Sequence, residues 1–149
     1  MVDTIVRIDR STVPTQPQWL KKPLHPELAT TGPAEYDLAA IQLWLHEKQK
    51  EGAKGQTLYG HLTRNNMLEG CLGYADGLAI QQKGLEVFRG LFGRTTLFLW
   101  RSVGRSSNRR LVVPCIGERN DELLLGSNCV HGLEEITWGS DYPAGCYPS

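Results

Sequence analysis

The apolar positions of this chain change their spacing twice. Up to residue 33 they are scattered among five prolines, Pro14, Pro17, Pro23, Pro26 and Pro33. Each proline fixes φ and pushes its predecessor towards extended geometry. The stretch "STVPTQPQWLKKPLHPELATTGP" therefore predicts an irregular extended arm, anchored by Trp19, Leu20, Leu24 and Leu28. Ahead of it, the β-branched "TIVRI" predicts a short strand. So long an irregular stretch is expected to pack on the core or to serve a function, and packing is the simpler reading.

Residues 34–93 carry helical spacing. Pro33 suits a first helical turn, Glu35 and Asp37 suit the positive end of the dipole, and Gly52 suits a stop. Ala34, Leu38, Ile41, Trp44 and Leu45 then fill a stripe about 120° wide, which predicts a core-facing helix. Tyr36 and Leu43 form a second apolar patch, with a seam of Glu35, Gln42, His46 and Gln49 between the two. A second, shorter helix is predicted in "QTLYGHLTRNN", with Leu58 and Leu62 on one face. A third is predicted in "ADGLAIQQKGLEVFRGLF", where Leu78, Gln81, Leu85, Phe88 and Phe92 align. Gly77 and Gly84 lie along one edge of it. Interior glycine is unfavourable by about 0.5–1 kcal/mol against alanine, so they imply either close approach by another element or a break at Gly84.

From residue 94 the pattern alternates. In "TTLFLWRSV", Leu97 and Leu99 fall on one face and Phe98 and Trp100 on the other, as in a central strand covered on both sides. "GRSSNR" supplies a turn and "RLVVPCI" a returning strand, which Pro114 places at an edge or a bulge. "DELLLGSNCV" and "LEEITW" predict two further strands. The predicted architecture is a single α+β domain over residues 1–149: an arm (1–33), a helical part (34–93) and a β part (94–149). The helical N-terminal half is expected to pack on a mostly antiparallel sheet of three to five strands from the C-terminal half. No run of apolar residues is long enough for a secretory signal or a membrane span, so a cytoplasmic protein without membrane contact is expected.

Charge alters this picture more than composition does. The net charge is zero, but residues 87–117 carry Arg89, Arg94, Arg101, Arg105, Arg109 and Arg110 and no acid. Residues 118–149 carry six acids against Arg119 alone. "RSVGRSSNRR" gathers Arg101, Arg105, Arg109 and Arg110 around one predicted hairpin, and guanidinium forks suit phosphate and carboxylate. The competing expectation is that Glu118, Asp121 and Glu122 return alongside and neutralise them.

Other chemistry is weaker. In a helix, His46 faces only positions three or four away, so Glu47 cannot orient it. His25, His46, His61 and His131 join Cys71, Cys115, Cys129 and Cys146 as conceivable metal ligands, but only Cys129 and His131 are closely spaced. No metal and no cofactor are expected. Without a CxxC pair or a secretory signal the cysteines are expected as free thiols. Cys71, in "EGCLGYADG", would gain reactivity only near a helix start. The leading functional expectation is a non-catalytic binding module whose arginine hairpin contacts an anionic ligand or partner. A second is a small enzyme using His46 or His61 with Tyr36, Tyr59 or a cysteine such as Cys71. A third is a homodimer formed through the arm or an edge strand.

Overall fold

The computed structural model describes residues 3–127 and 137–148. The fold is α+β, with three α-helices and mainly antiparallel strands among the described residues. In chain order these are β1 (Ile5–Arg7), β2 (Lys22–Pro23), β3 (Glu35–Asp37), β4 (Gln42–Trp44) and β5 (Ala53–Lys54). The helices follow as α1 (Gly55–Arg64), α2 (Tyr74–Lys83) and α3 (Leu85–Phe92). The remaining strands are β6 (Leu97–Phe98), β7 (Gly104–Arg105), β8 (Leu111–Val112), β9 (Pro114–Arg119), β10 (Glu122–Ser127), β11 (Thr137–Trp138) and β12 (Ala144–Cys146). The largest sheet has the order β10–β9–β6–β12–β4 and is antiparallel except where β6 meets β12. Three smaller sheets join β1 to β3, β5 to β11, and β2 to β7 to β8.

The alternation at residues 97–100 survives in the core. Leu97 and Leu99 pack with Leu72, Ile80, Phe88 and Ile116, so α2 and α3 cover one side of the central strand. Phe98 and Trp100 pack with Leu58, Leu62 and Trp138, so α1 covers the other. All four of these alternating side chains are at most 1% exposed. Each fully buried side chain of this size contributes roughly 1.5–3 kcal/mol. Gly77 permits this packing, since a Cβ there would lie 2.7 Å from both Leu99 Cδ1 and Leu125 Cδ1. Gly84 instead ends α2 at φ +98°, and α3 starts beyond it.

The predicted first helix does not form. Residues 34–51 run through β3, a 3-10 turn at Leu38–Ala40, β4 and a second 3-10 turn at Glu47–Lys50. Helical propensity is a weak preference that tertiary pairing overrides. Here Tyr36 pairs with Val6, and Trp44 pairs with Ala144. Asp37 accepts from Ala39 N at 2.9 Å and from Thr4 Oγ1 at 2.5 Å, turning the chain out of the strand. Leu38 is buried, but Leu45 is 43% exposed and Leu43 48%, so Leu45 is not the core residue the stripe implied.

The returning strand is also divided. After Phe98 the chain leaves the sheet into a 3-10 turn at Trp100–Ser102, and only then enters β7. β8 pairs with β7, whereas β9 lies between β6 and β10 and is not an edge. Pro114 opens β9, a position where its missing N–H is tolerated. Its carbonyl accepts from Leu99 N at 2.9 Å. Residues 128–136, which include most of the predicted "LEEITW" strand, lie outside the described residues. Among the described residues no helix is long and apolar enough to cross a membrane.

Candidate functional site

The arginines form two unlike groups. Ser106 N donates to Arg110 O and Arg109 N to Ser106 O, each at 2.9 Å, closing the turn between β7 and β8 with Arg109 at φ +65°. Arg105 Nη1 folds over that turn onto Arg109 O at 2.9 Å. The arm joins from the other side: β2 pairs with β7, setting Lys22 directly opposite Arg105, and Lys21 N donates to Arg105 O at 2.9 Å. Gly104 allows this approach, because a Cβ there would clash with the Leu20 side chain and lie 2.6 Å from Lys22 O. Lys21, Lys22, Arg105 and Arg109 are exposed, and Arg110 is half-buried. The contribution of the arm was missed in the sequence, although "KKP" carries it.

Arg101 is not on this face. It is 6% exposed, and its guanidinium donates to Leu28 O at 3.2 Å and also to Glu69 O and Thr31 Oγ1. It lies 5.4 Å from the ring centroid of Tyr147, and Arg10 lies 5.6 Å from it. Arg10 donates to Asp76 Oδ1 at 2.9 Å. The fully buried Asp76 also accepts from Tyr36 Oη at 2.8 Å, Tyr147 Oη at 2.7 Å and Gly73 N at 2.8 Å. Burial, and then the Asp76 carboxylate, hold both phenols well above the ordinary tyrosine pKa. Tyr36 thus belongs to a structural network, away from any histidine pairing. Its members come from distant segments, and no local motif marks them.

Two of the three acids expected to neutralise the hairpin, Glu118 and Asp121, are engaged elsewhere. Arg89 on α3 makes a two-pronged contact with Glu118, at 3.0 and 2.5 Å, and reaches Asp121 at 3.1 Å. Among the described residues no carboxylate lies within ion-pair distance of Lys21, Lys22, Arg105 or Arg109.

The histidines divide as well. His46 caps the second 3-10 turn: its Nδ1 accepts from Lys48 N at 3.1 Å, and its own N–H donates to Gln49 Oε1 at 2.9 Å. The buried Gln49 passes this on to Gly139 O and Tyr142 O, at 3.0 and 3.1 Å. His46 packs edge-on against His61 at 4.8 Å, and His61 stacks on Trp44 at 5.3 Å. Desolvation and then His61 lower the His46 pKa. With Nδ1 engaged by the backbone, His46 is a cap rather than a base oriented by a carboxylate. Tyr59 pairs instead with His25, whose Nε2 lies 2.8 Å from the phenol oxygen, while Glu27 stands 3.5 Å from His25 Nδ1. Tyr59 stacks on Trp100, and burial raises its pKa while the Arg105 charge opposes the rise. A cleft of about 200 Å³ lies beside His25, lined also by Glu27, Leu62, Thr63, Asn66 and Glu69.

Cys71 is completely buried and precedes α2 by three residues. Its thiol is pushed well above the ordinary range, first by its hydrogen bond with Cys146 and then by burial, so it is not an activated nucleophile. Among the described residues no group of three or more histidine, cysteine or acidic side chains could hold a metal. Cys129 and His131, the closest ligand pair in the sequence, lie outside the described residues. No protein-family model matches the chain, and neither a curated protein nor a solved structure matches it.

Proposed function

We propose that the chain is a non-catalytic binding module of the cytoplasm, and that the exposed surface formed by β2, β7 and the turn between β7 and β8 contacts a polyanion. Its helical stretch then serves as a scaffold for the strands that carry this face. One observation carries the reading: Lys22 and Arg105 stand opposite each other across neighbouring strands, while Glu118 and Asp121 turn to Arg89. Like charges directly opposite in a sheet are unfavourable, so a bound anion relieves a repulsion already built into the fold. Arg109 adds to this, since its positive φ is an uncommon conformation for an arginine, and such conformations recur at binding sites. The charges lie on strands and a turn at the surface, an arrangement suited to successive phosphates or sulfates.

The test is retention on heparin and on single-stranded DNA over a salt series, for the parent and for Lys22→Gln/Arg105→Gln/Arg109→Gln. The parent is expected to be retained at low salt and released steeply with added salt, as counterion release requires. The triple variant is expected to pass through the column with a urea midpoint no lower than the parent's, since the Lys22–Arg105 repulsion is removed with the binding charges. A parent that passes through at low salt removes polyanions from consideration.

A second reading, a small enzyme, is favoured by the Glu27–His25–Tyr59 chain of contacts beside a cleft. Its carboxylate–imidazole order is that of an oriented base. The cleft is smaller than the roughly 300–1,000 Å³ of most small-molecule sites, which ranks this reading second. Incubating a retained polyanion with the parent and with Tyr59→Phe separates the two readings. Turnover lost in the variant supports an enzyme, and an unaltered polyanion leaves binding alone.

A further inference from the structure

Cys71 and Cys146, distant in sequence, face each other as partners in an isolated antiparallel bridge. Two backbone hydrogen bonds flank them, Leu72 N to Gly145 O and Tyr147 N to Gly70 O, both at 2.8 Å. This pattern makes Cys71 and Cys146 a non-hydrogen-bonded pair, the type in which Cα atoms are about 4.5 Å apart and side chains are closest. A disulfide needs a Cα separation of about 4.4–6.8 Å, so the backbone already meets the requirement. Both side chains point into the same core cluster. Cys115 is excluded as a partner by the sheet. It stands opposite Phe98, which meets Ala144 on its other side, so two strand spacings separate β9 from β12. That is about 9–10 Å, beyond the reach of a disulfide.

We propose that Cys71 and Cys146 form a reversible dithiol–disulfide pair, closed by exchange with a low-molecular-weight disulfide such as oxidised glutathione. The two thiols differ in access, Cys71 being fully buried and Cys146 partly exposed. The Cys146 thiolate attacks one glutathione sulfur, forming a mixed disulfide and expelling one glutathione thiolate. Cys71 sulfur then attacks Cys146 sulfur, its proton passing to the second glutathione thiolate as that group leaves. The protein loses two protons and two electrons, and one oxidised glutathione becomes two reduced molecules. The Cys146 thiol is lowered in pKa by its hydrogen bond with Cys71, which favours the thiolate that the first attack needs. A Cα spacing near the short limit favours a bond that reductants can reopen. Closure ties the start of α2 to the strand that leads to Tyr147, and so braces the Asp76 network.

The test is incubation of the full chain with oxidised glutathione, then peptide mass spectrometry under non-reducing conditions and thermal unfolding. The expected product is a Cys71–Cys146 cross-linked peptide that dithiothreitol reverses, with a rise in Tm on the order of 5 °C. Cys146→Ser and Cys71→Ala should each abolish the rise, whereas Cys115→Ser and Cys129→Ser should keep it. The mass measurement on the parent stands even if the Cys71 variant fails to fold. A glutathione adduct that persists on Cys146, a cross-link to Cys115 or Cys129, or no reaction overturns the proposal.

Discussion

Around Tyr147 two guanidinium groups are enclosed, Arg10 bound to Asp76 and Arg101 bound to two backbone carbonyls and Thr31. Beside β2 and β7, Lys21, Lys22, Arg105 and Arg109 lie exposed, and among the described residues the Arg105 guanidinium donates to the carbonyl of Arg109. Residue type is shared between the two regions, and even neighbourhood in sequence is shared, since Arg101 and Arg105 are four residues apart. The difference comes from what the backbone delivers. The 3-10 turn at Trp100–Ser102 rotates Arg101 inward towards carbonyls of the arm and of the turn before α2, and β7 then carries Arg105 outward. An arginine-rich stretch is thus two things at once, a strut and a surface.

The largest test of this contrast is Asp76→Ala. It strips a largely enclosed arginine, two phenols and the Gly73 amide of their acceptor. Removing one partner of a buried charged pair costs about 3–5 kcal/mol, and urea unfolding should show a loss of that size. A loss below about 1 kcal/mol would mean that the network is solvated and the enclosed region is no strut.

Alkali probes the same network from its phenols. Tyr36 and Tyr147 are held protonated in the fold by burial and by Asp76, whereas in the unfolded chain they ionise near pH 10. Above that pH the unfolded state binds fewer protons than the native one, so stability is fully present below about pH 10 and falls as pH rises. At about pH 11 the two phenols together should cost roughly 2–3 kcal/mol. Urea midpoints compared at neutral pH and near pH 11 measure this, and Tyr147→Phe should flatten the dependence. A flat profile in the parent breaks the argument.

Arg101→Gln and Arg105→Gln then compare the two regions directly. The first leaves buried carbonyls without donors and should cost at least about 2 kcal/mol, each unmade partner being worth about 1–3. The second alters an exposed group and should stay within about 0.5 kcal/mol. Equal losses from both would show that the hairpin is built into the core after all.

Sequence reasoning reached the parts of the fold where local pattern and tertiary packing agree. Leu97 to Trp100 divide between the two cores as their alternation requires, α1 buries Leu58 and Leu62, and the chain breaks at Gly84. It failed at residues 34–51, where apolar residues at helical spacing are also met by two short strands and two turns. The pairing with β1 and β12 that decides between these is not a local property. β12 itself is flanked by Pro143 and Pro148 and contains Gly145, so nothing in "PAGCYP" signals a strand. The exposure of Arg105 and Arg109 was legible from the turn residues around them, and Arg110 beside them is half-buried. Arg101 was misplaced because its partners are mostly backbone carbonyls, which leave no mark in a sequence. Lys22 was overlooked because only tertiary pairing brings the arm to the hairpin. The helical placement of His46 went with the first helix, which does not form, whereas His61 lies on α1 as expected.

The smallest effect is the most informative about function, because its sign differs between the two accounts of the basic face. If the hairpin were neutralised by its own chain, removing a positive charge from it would destabilise the fold. In the structure Lys22 faces Arg105, and no carboxylate of the described residues lies within ion-pair distance of either. Lys22→Gln should therefore stabilise the protein, by roughly 0.2–1 kcal/mol at low salt, the worth of a cross-strand charge pair. The gain should shrink as salt rises, since exposed charges are screened over about 10 Å at 0.1 M. A polyanion bound to the parent should reverse the order, making the parent the more stable protein, because a ligand that binds only the native state adds to its stability. Urea midpoints for the parent and Lys22→Gln, at two ionic strengths and with and without heparin, read all of these terms. A Lys22→Gln protein that is less stable than the parent without heparin would place an acidic partner on this face and withdraw it as a binding surface.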